Sequence, residues 1–283
     1  MKDGFLWVYK PVGKTSREVL NELQRKLRVK GGYEGTLDPF AEGLLIVAIG
    51  KGTRFLPYFQ NLLKTYEAIL VLGKETDTLD VEGKVIMEKP IPPLNREMVE
   101  GVLRSFLGEY EQIPPKFSAI RVKGERAYEL ARKGEDVKLN PRKVYIDYIS
   151  LKGFWEDKIA FVCRVSSGTY VRALGRDIAY RLGTVGYLEK LKRTEIGPIK
   201  VDMAKSVDEI TEEDIIPMDE GLFWIERVDL TGDFGIKFLR GNRVRFEGEG
   251  GLKRVYVDGE FVGLGVVEGR YLKPERLLPH LGR

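Results

Sequence analysis

Residues 35–45, Gly-Thr-Leu-Asp-Pro-Phe-Ala-Glu-Gly-Leu-Leu, join a glycine-rich loop to a short apolar segment. Asp-Pro commonly starts a turn, so these residues alone are compatible with a plain turn. The same loop places the carboxylate of Asp38 between Gly35 and Gly43, which allow a ligand to approach closely. Pro39 restricts the backbone directly after the aspartate. An acid on a stiff loop is also what an accurately placed nucleophile requires.

The segments around this stretch have clear helix and strand patterns. Thr15 and Glu18 have the spacing of a capping box, and the apolar side chains that follow at helical spacing predict a helix over 16–28. The apolar run at 44–49 predicts a buried strand. Further patterns predict strands over 5–9, 66–72 and 160–166, helices over 96–107 and 171–182, and a loop over 31–39.

Composition excludes several classes of protein. The chain has 283 residues, of which 43% are hydrophobic and 32% charged, and this balance is typical of a core-forming protein without a membrane span. A single cysteine and a single histidine argue against an internal disulfide, a zinc site and histidine-based nucleophilic catalysis. We therefore expect a cytoplasmic protein whose chemistry uses carboxylate, Tyr, Lys or Arg side chains, with no metal and no cofactor.

Positive charge is concentrated in two zones of a nearly neutral chain. Residues 112–145 contain nine basic and four acidic side chains, and residues 235–283 contain ten basic and six acidic ones. Such zones are typical of a polyanion-binding surface, although a solvated charged face has the same composition. From about residue 228 short strand patterns alternate with glycine turns, which predicts a small β-rich module.

Two phosphate-binding motifs are present only in fragments. Gly13-Lys14-Thr15 matches the end of a P-loop, but Val8 stands where that motif requires its first glycine. Residues 263–265, Gly-Leu-Gly, lack the βαβ unit of a dinucleotide site. We therefore interpret the first as a turn before a helix and reject the second.

Seven ordered motifs carry a family resemblance. They occupy residues 9–16, 35–45, 64–66, 76–83, 115–132, 168–172 and 191–197. Together they resemble the motifs of the bacterial tRNA pseudouridine-55 synthases, the TruB family with a C-terminal PUA domain. The resemblance implies an α+β fold with a mixed, mainly antiparallel sheet in a catalytic domain over 1–225. It also implies an RNA-contacting insertion at about 112–145 and a small β-barrel PUA domain over 228–283.

The resemblance implies roles for particular side chains. Asp38 would be the nucleophile, Arg172 its ion-pair partner, and Tyr66 would stack on the uracil and assist proton transfer. The substrate-binding residues it implies are Lys10, Tyr33, Gly35, Thr36, Lys116, Arg121, Lys123, Arg126, Arg132 and Leu191. Tyr33 departs from the family pattern, which has a histidine five residues before the aspartate. Since base stacking needs only an aromatic face, a tyrosine can take that role.

Arg172 also has a simpler interpretation from its position. The apolar stripe of the predicted helix leaves it off the core face, which suits either an active-site group or a surface arginine. Asp38 and Glu42 could likewise form the carboxylate pair of a glycosidase.

The implied reaction isomerises the T-loop uridine 55 of tRNA after the base is flipped out of its stack. The expected partner is the T-arm stem-loop of tRNA, bound by a monomer without a protein partner. Two other functions are a guide-RNA-dependent relative and a non-catalytic RNA-binding or RNA-folding protein. The guide-dependent proteins carry additional N-terminal sequence, whereas the first motif here begins at Tyr9.

Overall fold

The computed structural model describes residues 2–117, 121–122, 125–126 and 139–279, with the backbone alone at 121–122 and 125–126. Its α-helices in these ranges are α1 (Ser16–Leu27), α2 (Leu56–Gln60), α3 (Arg96–Arg104), α4 (Val171–Arg181) and α5 (Gly232–Leu239). Short 3-10 helices occupy Gly50–Phe55, Val201–Met203, Glu212–Asp214 and Glu220–Leu222.

The strands account for most of the remaining regular structure. In chain order they are β1 (Gly4–Lys10), β2 (Gly31–Glu34), β3 (Glu42–Ile49), β4 (Lys64–Leu72), β5 (Lys74–Thr76), β6 (Val85–Glu88), β7 (Gly108–Gln112), β8 (Arg121–Val122), β9 (Glu125–Arg126), β10 (Arg142–Phe154), β11 (Lys158–Val165), β12 (Gly186–Ile196), β13 (Ile199–Lys200), β14 (Ile216–Pro217), β15 (Glu226–Leu230), β16 (Val244–Arg245), β17 (Gly251–Val257), β18 (Glu260–Glu268) and β19 (Tyr271–Leu277).

One large sheet organises the first 225 residues. Its strand order is β14-β1-β3-β12-β4-β11-β10-β7, and β2 and β13 pair with β3 and β12 beside this path. The described pairs of this sheet are antiparallel except β3 with β12, which run parallel with Arg193 opposite Gly43. The predicted α+β class with a mixed, mainly antiparallel sheet is confirmed.

The large sheet is covered on both faces, which explains the uniformly apolar run of β3. Leu45, Val47 and Ile49 face a cluster that includes the inner side of α1. Leu44 and Ile46 point the other way, into a cluster formed with aromatic side chains of β1 and α2. Because successive side chains of a strand alternate between faces, a strand buried on both faces must be apolar at every position.

Helix α1 begins and ends as its sequence predicts. The Thr15 hydroxyl accepts from the Glu18 N–H at 3.1 Å, and the Glu18 carboxylate accepts from the Thr15 N–H at 2.7 Å. This reciprocal cap satisfies two donors at the helix start. The helix ends where Arg28 takes a left-handed conformation with φ of 53°.

Three element boundaries differ from the sequence predictions. The predicted loop at 31–39 begins with strand β2, because backbone pairing of its glycine-rich residues with β3 overrides their low strand propensity. Helix α3 ends at Arg104, where a turn leads into β7. Strand β10 begins at Arg142, inside the range of about 112–145 predicted for the insertion, and it pairs with β7 up to Gln112.

The C-terminal residues form a second, five-stranded sheet in the order β15-β17-β18-β19-β16. Its outer strands β15 and β16 are not paired with each other in the described residues, so the predicted small β-module has the form of an open half-barrel. Phe238 of α5 packs into the apolar cluster formed by the strands of this second sheet.

This sheet also packs against the large domain. The rings of Phe55 and Phe261 are 5.9 Å apart, and Arg254 Nε donates to the Ile225 carbonyl at 2.7 Å. Among the described helices, none has the length and apolar character needed to cross a bilayer.

Candidate active site

A cleft opens between the loop after β2, the strands β4 and β12, and the start of α4. Asp38, Tyr66, Arg172 and Leu191 all line it, although they come from four separate parts of the chain. Its volume is about 750 Å³. Ligand pockets span about 300–1,000 Å³, so the cleft has room for a nucleotide.

Hydrogen bonds on both sides hold the loop that carries Asp38. The Ser16 hydroxyl accepts from the Leu37 N–H at 2.9 Å and donates to the Leu37 carbonyl at 3.2 Å. On the other side, the Gly13 N–H donates to the Pro39 carbonyl at 2.8 Å. The first turn of α1 and the turn before it therefore fix the residues that flank Asp38.

Lys10 lies behind this loop and not in the cleft. Its side chain has no exposed surface, and its ammonium donates to the carbonyls of Pro11, Lys14 and Pro39 at 2.9, 2.5 and 3.4 Å. Burial lowers the pKa of Lys10 to about 8. The ammonium of Lys10 therefore points at the backbone around the Asp38 loop and not into the cleft, and its contact with substrate stays a prediction.

Arg172 and Asp38 form the ion pair that the resemblance implies. Arg172 Nε lies 2.8 Å from Asp38 Oδ2, and Nη2 donates to Asp38 Oδ1 at 3.2 Å. The Nε hydrogen is not directed at the carboxylate, so the shorter contact is an ion pair without a hydrogen bond. The Asp38 side chain keeps 34% of its surface exposed, whereas the Arg172 side chain keeps 5%. The carboxylate is thus reachable from the cleft while its partner is enclosed.

The interpretation of Arg172 as a surface residue is wrong. The guanidinium turns inward from the first turn of α4 and also donates to the carbonyls of Thr78 at 2.7 Å and Phe117 at 3.0 Å. A cation at a helix N-terminus opposes the helix dipole, so these acceptors offset an unfavourable position. A second carboxylate, Asp80, lies 3.7 Å from Nη1 and is equally buried.

Arg193 is a second enclosed arginine at the cleft. It has 1% of its surface exposed, and it donates to the carbonyls of Leu44 and Gly35, both at 2.8 Å. Gly35 has a φ of +68°, and a Cβ there would lie 3.0 Å from Arg193 Nη1. The glycine is therefore required so that the loop can pass close to the guanidinium.

Four other residues that the resemblance assigns to the site also line the cleft. Tyr66 is half-buried in β4 between β11 and β12, and Leu191 is buried in β12. Thr36 is exposed on the loop. Tyr33 stands in the edge strand β2 with the Arg17 guanidinium 5.5 Å from its ring centre. The structure therefore brings these side chains to the same cleft as Asp38.

Two further ionisable groups line the cleft beside Arg193. Burial lowers the pKa of Lys64 to about 8. Burial raises the pKa of the Glu34 carboxyl, against the opposing effect of Lys64 and Arg193. Burial likewise raises the pKa of Asp80. The cleft therefore mixes both signs of charge and holds several groups in a poorly solvated setting.

The predicted RNA-contacting residues of the insertion are only partly described. Lys116 is exposed and adjoins Phe117, which lines the cleft. Arg121 and Arg126 face each other in the pair β8–β9, where only their backbones are described. Lys123 and Arg132 lie outside the described residues.

Glu42 does not form a glycosidase-like pair with Asp38. Its carboxylate accepts from the Tyr9 hydroxyl at 2.6 Å, and it is not among the residues that line the cleft. Within residues 2–117 and 139–279, no group of three or more His, Cys, Asp or Glu side chains is arranged to hold a metal ion.

Sequence reasoning did not assign roles to Asp80 and Arg193, although both lie inside recognised motifs. Asp80 belongs to the motif at 76–83, and Arg193 belongs to the motif at 191–197. Their neighbours in sequence gave no clear signal, because Arg193 stands between Lys192 and Thr194, and Val81 beside Asp80 is exposed.

Comparison with known proteins places this geometry in a family. The model of the TruB family pseudouridylate synthase N-terminal domain matches residues 21–171. The tRNA pseudouridine synthase B of Aquifex aeolicus is 42% identical over 98% of this chain and 99% of its own length. The protein of the same name from Thermotoga maritima is 38% identical over 87% of this chain and 81% of its own length.

Solved structures agree on the fold. A chain of a Cbf5–Nop10–Gar1 complex aligns with a TM-score of 0.72 at 24% identity, covering 97% of this chain and 84% of that one. A chain of an H/ACA RNP bound to a substrate RNA containing 2′-deoxyuridine aligns with a TM-score of 0.71 at 22% identity, with the same coverage. The family model and the sequence relatives together show that this chain belongs to the TruB family of pseudouridylate synthases.

Proposed function

We propose that this chain is a tRNA pseudouridine synthase that converts uridine 55 of the T loop into pseudouridine, with Asp38 as its nucleophile. Relatives that match nearly the whole chain carry the name tRNA pseudouridine synthase B, which supports both the reaction and the substrate class. The single observation that carries the assignment of the nucleophile is the ion pair between the accessible carboxylate of Asp38 and the enclosed guanidinium of Arg172.

The reaction is an isomerisation that needs no external reagent. The bond between ribose C1′ and uracil N1 breaks, the uracil turns in the cleft, and C5 forms a new bond to C1′. C5 loses its proton and N1 gains one, so atoms and charge balance. Asp38 acts on the nucleotide as a carboxylate, and Arg172 orients it from the side opposite the opening.

Two side chains would hold the flipped base, and a third would take its place in the RNA. Tyr66 stacks on the uracil and assists removal of the C5 proton, and Leu191 packs beneath the ring. Tyr33 stacks in the space that the base leaves in the RNA. Stacking of a base on an aromatic ring contributes about 1–3 kcal/mol, which is comparable to the few kcal/mol that unstacking costs.

Contacts beyond the cleft would bind the rest of the tRNA. In this proposal, residues 1–225 form the catalytic domain, the insertion at about 112–145 contacts the T arm, and residues 228–283 form a PUA-like RNA-binding domain. The open five-stranded sheet and its ten basic residues over 235–283 support the last assignment. Arg121, Lys123, Arg126 and Arg132 of the insertion are proposed phosphate contacts, together with Lys116.

We propose that the protein works as a monomer in the cytoplasm, without a protein partner. The cleft bears on the first point alone, because Asp38, Tyr66, Arg172 and Leu191 of one chain meet there without a second copy.

Tritium release from C5-labelled uridine in a T-arm stem-loop RNA tests the proposal. Wild type should release tritium, and Asp38→Asn, which keeps the shape but removes the charge, should not. RNA binding by both proteins, measured by fluorescence anisotropy, is the control for folding. Equal release by both proteins would eliminate Asp38 as the nucleophile. Binding without release by wild type would favour the RNA-binding or RNA-folding protein.

A further inference from the structure

Gln112 is the last residue of β7, and its side chain has no exposed surface. Its amide forms hydrogen bonds with the backbone of Tyr170, which lines the cleft at the start of α4. The Tyr170 N–H donates to Gln112 Oε1 at 2.9 Å, and Gln112 Nε2 donates to the Tyr170 carbonyl at 3.1 Å. Nε2 also donates to the Tyr110 hydroxyl. Glutamine is seldom fully buried, so a site that satisfies both ends of the amide is unusual.

Tyr170 is the residue from which α4 starts. It is the N-cap, it has no side-chain cap of its own, and its carbonyl accepts the first helical hydrogen bond, from Leu174 at 3.0 Å. Helix starts without a side-chain cap leave their position less firmly defined. Gln112 supplies the missing constraint from another strand. Arg172 follows two residues later, so the amide fixes the origin of the side chain that holds Asp38.

Two more contacts attach the same helix to the chain just after Gln112. Arg176 Nη2 donates to the Ile113 carbonyl at 2.8 Å, and Arg172 Nη2 donates to the Phe117 carbonyl at 3.0 Å. In the described part of the chain, residues 112–117 are therefore bound to α4 and its N-cap through Gln112, Arg172 and Arg176, of which Gln112 is uncharged. The insertion is the proposed RNA-contacting segment. These hydrogen bonds therefore connect it to the helix that carries Arg172 of the ion pair.

We propose that Gln112 is a positioning residue for the isomerisation: it sets the start of α4 and thereby the orientation of Arg172 against Asp38. The proposal rests on the proposed function of the cleft. It predicts a change in the rate of the bound complex and not in RNA affinity, because Gln112 itself is enclosed and does not line the cleft. A displacement of about 1 Å in a catalytic group can lower a rate by about 100-fold.

Two substitutions distinguish the contribution of the Gln112 donor, Nε2, from that of its acceptor, Oε1. Gln112→Leu removes both hydrogen bonds to Tyr170, and also the one to the Tyr110 hydroxyl, at similar volume. Gln112→Glu keeps the acceptor for the Tyr170 N–H but, when ionised, cannot donate to the Tyr170 carbonyl. Burial raises the pKa of a carboxyl group, so acidification from about pH 8 to about pH 6 should restore a donor in this variant. The ratio of its rate to that of wild type should then rise, whereas the ratio for Gln112→Leu should stay constant.

Thr184→Val is the matched control. Thr184 is buried beyond the other end of α4, and its hydroxyl donates to the Lys89 carbonyl at 3.0 Å. The substitution also removes one buried side chain to backbone hydrogen bond, but it lies far along the chain from Tyr170. It should lower the melting temperature by less than Gln112→Leu, which removes three hydrogen bonds, and it should leave the rate unchanged.

The experiment measures single-turnover tritium release at saturating T-arm RNA, together with RNA affinity. We expect Gln112→Leu to lower the rate by about 30- to 100-fold while affinity changes less than about 3-fold. A rate within about 3-fold of wild type, a loss confined to affinity, or a pH-independent Gln112→Glu ratio would overturn the proposal. If Gln112→Leu does not fold, the Gln112→Glu ratio decides.

Amide hydrogen exchange across residues 168–174 gives a readout that does not need activity. Exchange there should accelerate in Gln112→Leu and stay unchanged in Thr184→Val. Unchanged exchange in both variants would show that Gln112 does not hold the helix start. If wild type releases no tritium, the proposed function fails, and the exchange measurement still decides whether Gln112 positions α4.

Discussion

Gly43 offers a sharp test of whether close contact between β3 and β12 shapes the cleft. Its φ is +113°, and a Cβ placed on it would lie 2.3 Å from the Arg193 carbonyl oxygen and 2.9 Å from the Arg193 nitrogen. Real Cβ atoms do not approach other heavy atoms within 3.0 Å, so Gly43→Ala requires the strands to separate by at least 0.7 Å. Backbone atoms cannot turn aside as a side chain would.

The expected cost has two parts. An alanine at positive φ costs about 1–2 kcal/mol, and overpacking against backbone costs about 1–3 kcal/mol. At about 2–4 °C per kcal/mol, the melting temperature should fall by roughly 5 °C or more. The displaced strand starts directly after the loop of Asp38, so single-turnover tritium release should fall by roughly 10- to 100-fold.

Gly108→Ala is the matched control for backbone strain. Gly108 has a φ of +91°, but a Cβ there meets nothing within 4 Å. This variant should show the strain cost alone, with a wild-type rate of release. Thermal melting and tritium release by both variants distinguish strain from collision. If Gly43→Ala melts within about 2 °C of Gly108→Ala and keeps the wild-type rate, the reasoning from the β3–β12 contact is refuted.

Three further predictions concern single side chains. Arg172→Lys should lower single-turnover release by about 100-fold without loss of RNA binding in an anisotropy assay, because the compact ammonium lacks the planar fork whose separate nitrogens reach Asp38 and the carbonyls of Thr78 and Phe117. A near wild-type rate would contradict this. The folded pKa of Lys64, about 8, lies below its ordinary value of 10.5, so the unfolded chain binds more protons between these values. In denaturant unfolding, the free energy of unfolding of wild type should therefore rise by up to about 3 kcal/mol relative to that of Lys64→Met as pH increases through that window. A difference in free energy that does not change with pH would contradict this. Cys163 is fully buried and its thiol pKa is raised to about 12 by burial, so iodoacetamide at about pH 8 should label it only after unfolding; rapid native labelling, followed by mass spectrometry, would disprove its enclosure.

Sequence patterns correctly predicted the helices and strands that depend on residues close together in the chain. The capping box of Thr15 and Glu18 located the start of α1, and the apolar run at 44–49 located β3. Strand β2 was missed because Gly31 and Gly32 have little strand preference of their own. Their conformation comes from pairing with β3, which depends on residues more than ten positions away.

The candidate site was predicted only where a motif resemblance supplied the partner. Asp38 and Arg172 are 134 positions apart, and no spacing rule relates them. The enclosure of Arg172 escaped prediction because the helix pattern describes where apolar residues face and not where a long side chain turns. The burial of Lys10 was not predictable for a similar reason, since the carbonyls that accept from it belong to a turn whose shape only the fold defines.

The contact between Phe55 and Phe261 has a consequence for how the chain can be shortened. A chain truncated near residue 225 would keep every strand of the large sheet. It would still expose Phe55 and its aromatic neighbours, because Phe261 would no longer pack against them. Arg254 also donates to the Ile225 and Asp219 carbonyls, at 2.7 and 2.8 Å, so truncation would leave both carbonyls without this donor. The two sheets are thus separable in sequence but share one interior. A shortened chain would therefore be prone to self-association, and loss of activity in it could not be assigned to lost RNA contacts.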